Sequence, residues 1–323
     1  MAAAGDQRAA EALNKRVVAV LNSGSGSGTA ESEARVKAIF ADAGLDHAVV
    51  TRVGPAKIGA ALDEALAHAD VVVVLGGDGT IRTAADKCRA SAVFLLPLPG
   101  GTMNMLPKAL YGHRAWPEAL ADTLADPEVH EVSGGKAGDH GFFVAAMLGA
   151  PTLWADAREA VRGGHLVEAV KRSVTAARRG MSEPLDYEFG EALRGSAEAV
   201  VVVCPLISKV MDEHERSLEA AALDPDAAGL FRLGFHALFD DWRTDESVSR
   251  AKVRTVRVTA HGRVPMILDG EKMRMGRRVE ITFTPLAFRA LVPGQAAREA
   301  GEAAESMLEM AGDPTRERGQ GAR

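Results

Sequence analysis

Only two cysteines, Cys88 and Cys204, occur in the 323 residues, and they share no metal-ligand spacing. Cys88 follows a helical pattern and Cys204 ends a strand-like run, so neither a disulfide framework nor a zinc site is expected; a reduced, cytoplasmic protein is. Long apolar runs are missing too: no segment reaches the roughly 18 apolar residues needed for a membrane span. The N-terminal segment, with Asp6 and Glu11 among alanines, has neither the basic start nor the apolar core of a signal peptide. Positive charge is not in surplus. Lys and Arg total 38 against 44 Asp and Glu, a net charge of −6 that gives no reason to expect nucleic-acid binding or broad attraction to anionic membranes. The 9 histidines, among them His214, His236 and His261, show no HxxxH-type metal pattern.

What the chain does have is the run Val71-Val72-Val73-Val74-Leu75 followed by Gly76-Gly77-Asp78-Gly79-Thr80. Consecutive aliphatic residues read as a strand buried on both faces, the habit of a parallel sheet. Glycine turns at the carboxyl ends of such strands, leading into helices, are where open α/β sheets bind ligands. Upstream and downstream the same rhythm continues. Arg16 to Leu21, His47 to Val53 and Val93 to Leu98 read as further strands; Glu31 to Ala43, Pro55 to Ala69 and Thr80 to Ala90 read as helices. A doubly wound, Rossmann-like parallel α/β domain over residues 1–130 is predicted. Beyond Val129 the rhythm changes. Phe142 to Leu148, Leu185 to Phe189, Ala197 to Val203, Leu230 to Phe235, Thr255 to Ala260, Val264 to Leu268 and Arg278 to Phe283 read as strands, giving an expected β-rich antiparallel, sandwich-like domain over 131–292. A long helix from Pro151 to Arg179 interrupts them. An Ala/Glu-rich helix and flexible tail are expected over 293–323.

Three loops of the first half end neighbouring strands: Asn22-Ser23-Gly24-Ser25-Gly26-Ser27-Gly28, Gly76 to Thr80, and Pro99-Gly100-Gly101-Thr102-Met103-Asn104. In a parallel sheet they share one edge and can converge on one ligand. Their N–H groups, hydroxyls and amides suit phosphate oxygens and nucleotide hydroxyls. Asp78 adds a carboxylate suited to Mg2+ shared with a polyphosphate. No Gly-Lys-Ser/Thr follows the glycines, so this is not a Walker loop. Gly24, Gly26 and Gly28 alternate strictly without a following acidic partner, so it is not the dinucleotide fingerprint either. Later, Leu268-Asp269-Gly270-Glu271 places two carboxylates around a glycine. In extended geometry they point to one side and could take a proton from an attacking alcohol; the alternative is an exposed Asp-Gly hairpin turn.

These motifs together resemble the catalytic region of the diacylglycerol-kinase-type lipid kinases, which include bacterial diacylglycerol kinases and the sphingosine and ceramide kinases. Leu75 to Thr80 and Leu98 to Asn104 carry the resemblance; Leu21 to Gly26, Phe142 to Gly149 and Leu268 to Glu271 extend it more loosely. The resemblance implies an ATP- and Mg2+-dependent kinase phosphorylating a lipid hydroxyl, with diacylglycerol as default acceptor and ceramide close behind. It also implies a nucleotide site of Asn22, Ser23, Gly76, Gly77, Gly79, Thr80, Gly101, Thr102 and Asn104. Asp78 would hold Mg2+, Glu271 would be the general base, and Asp269 would orient it or assist the metal. The acceptor would lie between the domains, near Glu271, in an apolar cleft of the second domain.

The chain departs from the family pattern at Met105, where Asp is usual, and at Ala228-Gly229-Leu230, where Asp-Gly-Leu is usual, so the structural Mg2+ of bacterial relatives is not expected. The first loop has Ser23 and Ser25 in place of the usual Pro and a basic residue, and Cys204-Pro205 stands where Asn is frequent. Arg158, Arg162, Lys171, Arg172, Arg178 and Arg179 along the long helix could press on lipid headgroups or form a solvated face. A peripheral, transient stay at the inner membrane face is expected, with a homodimer left open. An NAD kinase-like enzyme and a non-catalytic nucleotide- or lipid-binding relative are the competing readings.

Overall fold

The computed structural model describes residues 2–89, 91–149, 152, 184–211, 215–223 and 248–294. The chain forms two compact units: Met1–Ile81, Ala92–His130 and Arg289–Arg323 make one, Arg82–Ser91 and Glu131–Phe288 the other. The partition is therefore not the sequential one of 1–130 and 131–292. A strand that starts in the second unit ends in the first, and a helix that starts in the first ends in the second.

In the first unit the described elements run α1 (Ala2–Leu13), β1 (Val17–Asn22), α2 (Ala30–Asp42), β2 (Val49–Val53), α3 (Ile58–His68), β3 (Val71–Gly76), α4 (Asp78–Cys88), β4 (Phe94–Pro99), α5 (Met105–Tyr111) and α6 (Trp116–Ala125). The strands lie in the order β2-β1-β3-β4 and every neighbouring pair is parallel. All residues of β3 are buried, as its unbroken aliphatic run requires. Between β1 and β3 the strand order reverses, so the turns after these two strands flank the switch point of the sheet. Thr29 starts α2 by accepting the Ser32 N–H on its hydroxyl at 3.1 Å.

The second unit continues with β5 (Pro127–Ala137), β6 (His140–Phe142), β7 (Ala145–Gly149), β8 (Leu185–Phe189), β9 (Leu193–Ala197), β10 (Ala199–Val203), β11 (Leu218–Leu223), β12 (Val248–Val253), β13 (Thr255–Thr259), β14 (Pro265–Leu268), β15 (Glu271–Arg274) and β16 (Arg278–Pro293). One antiparallel sheet has the order β12-β11-β10-β7-β14-β15. A second set, β16-β13-β8-β9, is also antiparallel, and β6 pairs with β5. Side chains of both layers, such as Val200, Val202 and Leu148 from one and Tyr187, Phe189 and Val256 from the other, share a single core. A sandwich results. In β8 Leu185, Tyr187 and Phe189 are buried while Asp186 and Glu188 are exposed, the alternation expected of a strand with one wet face. The end of β16 joins the parallel sheet of the first unit, with Arg289 and Ala290 opposite Phe94 and Leu95.

The strand expected over Phe142 to Leu148 is broken into β6 and β7, for a reason found at the site described next. The helix expected from Pro151, the strand expected from Leu230, Ala228 and the C-terminal helix lie outside the described residues. Both thiols are buried, and burial pushes Cys88 up to about 12 and Cys204 well above its ordinary value, so neither is a nucleophile near neutral pH. Truncating the fully buried ring in Phe189→Ala is expected to lower the unfolding free energy by about 3–5 kcal/mol, read as a shifted urea midpoint.

Candidate functional site

The three glycine-rich loops of the first unit are tied to one another. The Ser27 N–H donates to the Gly100 carbonyl at 3.1 Å, and the Gly100 N–H to the Gly76 carbonyl at 2.9 Å. Asn22 donates from Nδ2 to Thr80 Oγ1 at 2.8 Å while its Oδ1 accepts the Gly24 N–H at 2.9 Å. The closest backbone approach explains the glycines. A Cβ on Gly100 would sit 2.9 Å from the Gly76 nitrogen, and one on Gly101 would sit 2.7 Å from the Gly77 Cα. Only residues without a side chain let the second and third loops touch here.

Asp78 is the first residue of α4 and holds the third loop in place. Its Oδ2 accepts the Asn104 N–H at 2.9 Å and its Oδ1 the Met105 N–H at 2.6 Å. Asn104 adopts the left-handed conformation, φ 51° and ψ 48°, which an Asn tolerates better than most residues. Its side chain closes a small ring with Gly101, accepting that residue's N–H at 2.8 Å and donating to its carbonyl at 2.9 Å. Met105 is 3% exposed, so the residue in place of the usual Asp contributes its amide to Asp78 and its side chain to the core.

The expected site residues thus divide. Asn22 and Thr80 are buried and their side chains bond each other; the Asn104 side chain serves its own loop. Ser23 and Thr102 are exposed, and Gly77, Asp78 and Gly79 are half-buried, leaving backbone and hydroxyls at the surface. This set fits a phosphate-bearing nucleotide, since small residues permit close approach. Each Asp78 oxygen has a lone pair beyond the amide it accepts, so a Mg2+ ion fits there as well.

In the second unit Asp269 and Gly270 form the two-residue turn between β14 and β15, with φ 44° and 89° and with Leu268 paired to Glu271. Positive φ at both central positions is the type I′ signature. The extended arrangement expected for Asp269 and Glu271 is not present, because an Asp-Gly pair meets the turn's demand for left-handed backbone. Asp269 is 3% exposed and accepts three N–H groups, from Phe143 at 2.7 Å, Val144 at 2.9 Å and Ala145 at 3.0 Å. These bonds take amides out of the sheet ladder and break the apolar run between β6 and β7. Burial raises the Asp269 carboxyl from 3.8 to about 6; the three amides and the charge of Arg82 restrain the rise. Both oxygens of Asp269 are thus engaged by backbone amides. Glu271 is half-buried, and its carboxylate makes no hydrogen bond or ion pair among the described residues.

Two features escaped the sequence reading. Arg82 lies one turn along α4 from Asp78, and its Nε is buried without a hydrogen-bond partner. Lys108, four residues after Asn104, lines a cavity with His113, Arg114 and Trp116. Their i, i+4 spacing from motif residues was the available signal.

Residues 16–137 match the family model described as the diacylglycerol kinase catalytic domain. A diacylglycerol kinase structure from Bacillus anthracis str. Sterne superposes with a TM-score of 0.65 at 16% identity, covering 88% of this chain and 98% of that one. A second structure from the same organism gives 0.67 at 17% identity over the same shares. An NAD kinase from Archaeoglobus fulgidus in complex with ATP gives 0.49 at 13% identity, covering 88% of this chain and 95% of that one. At these identities the Bacillus likeness is one of fold.

Two outcomes test the geometry. Gly101→Ala is expected to force the loops apart and cost about 1–3 kcal/mol, seen as a lower unfolding midpoint. Native Asp269 keeps its proton up to about pH 6, whereas the unperturbed group releases it at 3.8. Its contribution is complete below the lower value and is lost as pH rises through the higher one. The parent's stability relative to Asp269→Asn, which does not titrate, is expected to shrink between about pH 4 and 7 in urea titrations. A gap that widens over that range would refute the assignment.

Proposed function

We propose, for a chain whose residues 16–137 fall in the diacylglycerol kinase catalytic-domain family, that the protein is an ATP-dependent lipid kinase. It transfers the γ-phosphate of ATP to the hydroxyl of a lipid, with diacylglycerol as first acceptor and ceramide next. The observation that carries this reading is the mutual bonding of three glycine-rich loops around Asp78 at the switch point of a parallel sheet.

The roles follow from what each group has left to offer. Gly76, Gly77, Gly79 and Gly101, lacking side chains, let the nucleotide's phosphates approach the backbone closely, and the hydroxyls of Ser23 and Thr102 bind its phosphates and sugar, while Asn22, Thr80 and Asn104 hold those groups in place. Asp78 holds Mg2+, which supplies positive charge against the phosphate oxygens. Neither Lys nor Arg occurs in the three loops, so the loops themselves provide no fixed positive charge. Glu271, whose carboxylate has no competing partner among the described residues, accepts the proton of the attacking hydroxyl. Asp269 fixes the hairpin from which Glu271 starts β15. No helix among the described residues is long and apolar enough to cross a membrane.

Labelled-phosphate transfer from Mg-ATP to diacylglycerol, ceramide, sphingosine and NAD tests the proposal. Label is expected in one of the first two lipids. Glu271→Gln is expected to lower kcat by about 100-fold or more with a modest change in KM, as loss of a general base does. Asp78→Asn is expected to weaken Mg-ATP use. Label on NAD alone, or no label on any acceptor while ATP still binds, would sink the lipid-kinase reading.

A further inference from the structure

We infer that the cavity at the carboxyl end of β4 is a binding site for a phosphate-bearing anion. It has a volume of about 300 Å³ and is lined by Pro99, Asn104, Lys108, His113, Arg114 and Trp116 together with Gly112 and Ala115. That lining contains three basic side chains and no acidic one, in a chain whose net charge is −6. A cavity with cationic and N–H donors and no carboxylate selects anions over metal ions.

The donors differ in how they are held. Arg114 is fixed: it donates to the Tyr111 carbonyl at 2.9 Å, lies 3.3 Å from the Asp122 carboxylate, and its side chain is 12% exposed. Asp122 offsets part of that charge and orients the guanidinium. Lys108 is half-buried and makes no ion pair among the described residues, so its ammonium is the main uncompensated charge of the cavity. His113 is exposed at the rim and can donate from an imidazole nitrogen. The opening turn of α6 also borders the cavity. Ala115 is its N-cap and offers no side-chain bond to the first amides, but Pro117 has no N–H to give and Glu118 places a carboxylate in the same turn, so this helix end adds little to the charge of Lys108 and Arg114. Trp116 provides an apolar wall.

A phosphate ester or phosphate dianion uses several such donors at once, where a singly charged carboxylate uses fewer. Asn104 belongs both to this lining and to the ring that sets the third loop, so an anion here touches the residue that bonds Asp78. The glycine loops have no fixed cation, and Lys108, one helical turn past Asn104, supplies one next to them. The same chemistry has three sources: the phosphate tail of a nucleotide, a phospholipid headgroup, or inorganic phosphate.

Binding at this site requires no phosphoryl transfer, so its failure and that of the kinase reading are distinguishable. The full chain is titrated by calorimetry with inorganic phosphate, with Mg-ATP, and with phosphatidylglycerol vesicles diluted in phosphatidylcholine. Trp116 fluorescence is followed in parallel, with Trp116→Phe as the blank for the 3 tryptophans. Saturable binding of at least one probe is expected, and Lys108→Met should weaken it by about tenfold or more, the loss of one charge-assisted bond. Lys108→Arg should restore most of it. The probe whose affinity falls in Lys108→Met names the source. Equal affinity of parent and Lys108→Met for all three probes, at an unchanged unfolding midpoint, would overturn the assignment, as would the absence of saturable binding.

Discussion

A carboxylate that accepts two consecutive amide protons sets the geometry of the glycine-loop edge of the first unit. Asp78 meets the N–H groups of Asn104 and Met105, and that pair of bonds fixes where the third loop turns into α5. From there the constraints propagate. Asn104 is held in left-handed backbone, its side chain grips Gly101, and Gly100 and Gly101 are pressed against Gly76 and Gly77. Ser27 then hangs on Gly100, and Asn22 on Thr80. Removing the carboxylate orphans two amides at the start of a helix, each with a desolvation cost of about 1–3 kcal/mol where water is excluded. The position of Asp78 at the amino end of α4 also favours its negative charge. The charge of Asp78 is thus equally a fastener for the backbone.

Asp269 repeats this device in the second unit under harsher conditions. It too sits in a glycine turn and accepts successive amides, from Phe143, Val144 and Ala145. Asp78 is half-buried and keeps contact with water, whereas Asp269 is 3% exposed. Withdrawal from water is what pushes Asp269 up to about 6, and the amides recover only part of the loss. Glu271, two residues on, shares neither the burial nor the bonds. Two acids of one short motif therefore divide into a structural anchor and a carboxylate without a bond among the described residues.

The parallel sheet was readable because β1, β3 and β4 are aliphatic runs closed by glycine or proline signals, a pattern with few other solutions. The sandwich was readable in outline, since strands such as Leu185–Phe189 alternate cleanly. Strand β11, with three alanines in Leu218–Leu223, and the polar β12 carry too little hydrophobic contrast to stand out. The break between β6 and β7 could not be read at all: its cause is Asp269, more than a hundred residues away, and nothing in Phe143-Val144 announces it. The convergence of three loops followed from topology. The distinction between residues that touch a ligand and residues that hold them did not, because Asn22, Thr80 and Asn104 have the same polar atoms in either role. Asp-Gly was an ambiguous motif, and its hairpin propensity prevailed over the extended alternative.

The last strand has a consequence for how the protein is made. Arg289 and Ala290 pair with β4, and the Tyr111 hydroxyl donates to the Leu291 carbonyl across 180 residues of sequence. During synthesis the parallel-sheet half therefore leaves the ribosome with one side of β4 unpaired, and it stays so until the whole sandwich has been translated. Closing such a long loop is entropically slow, and an open strand edge in the interim can recruit the wrong partner. The order of translation thus makes completion of the first half wait on the second, coupling the maturation of two units that each have a core of their own.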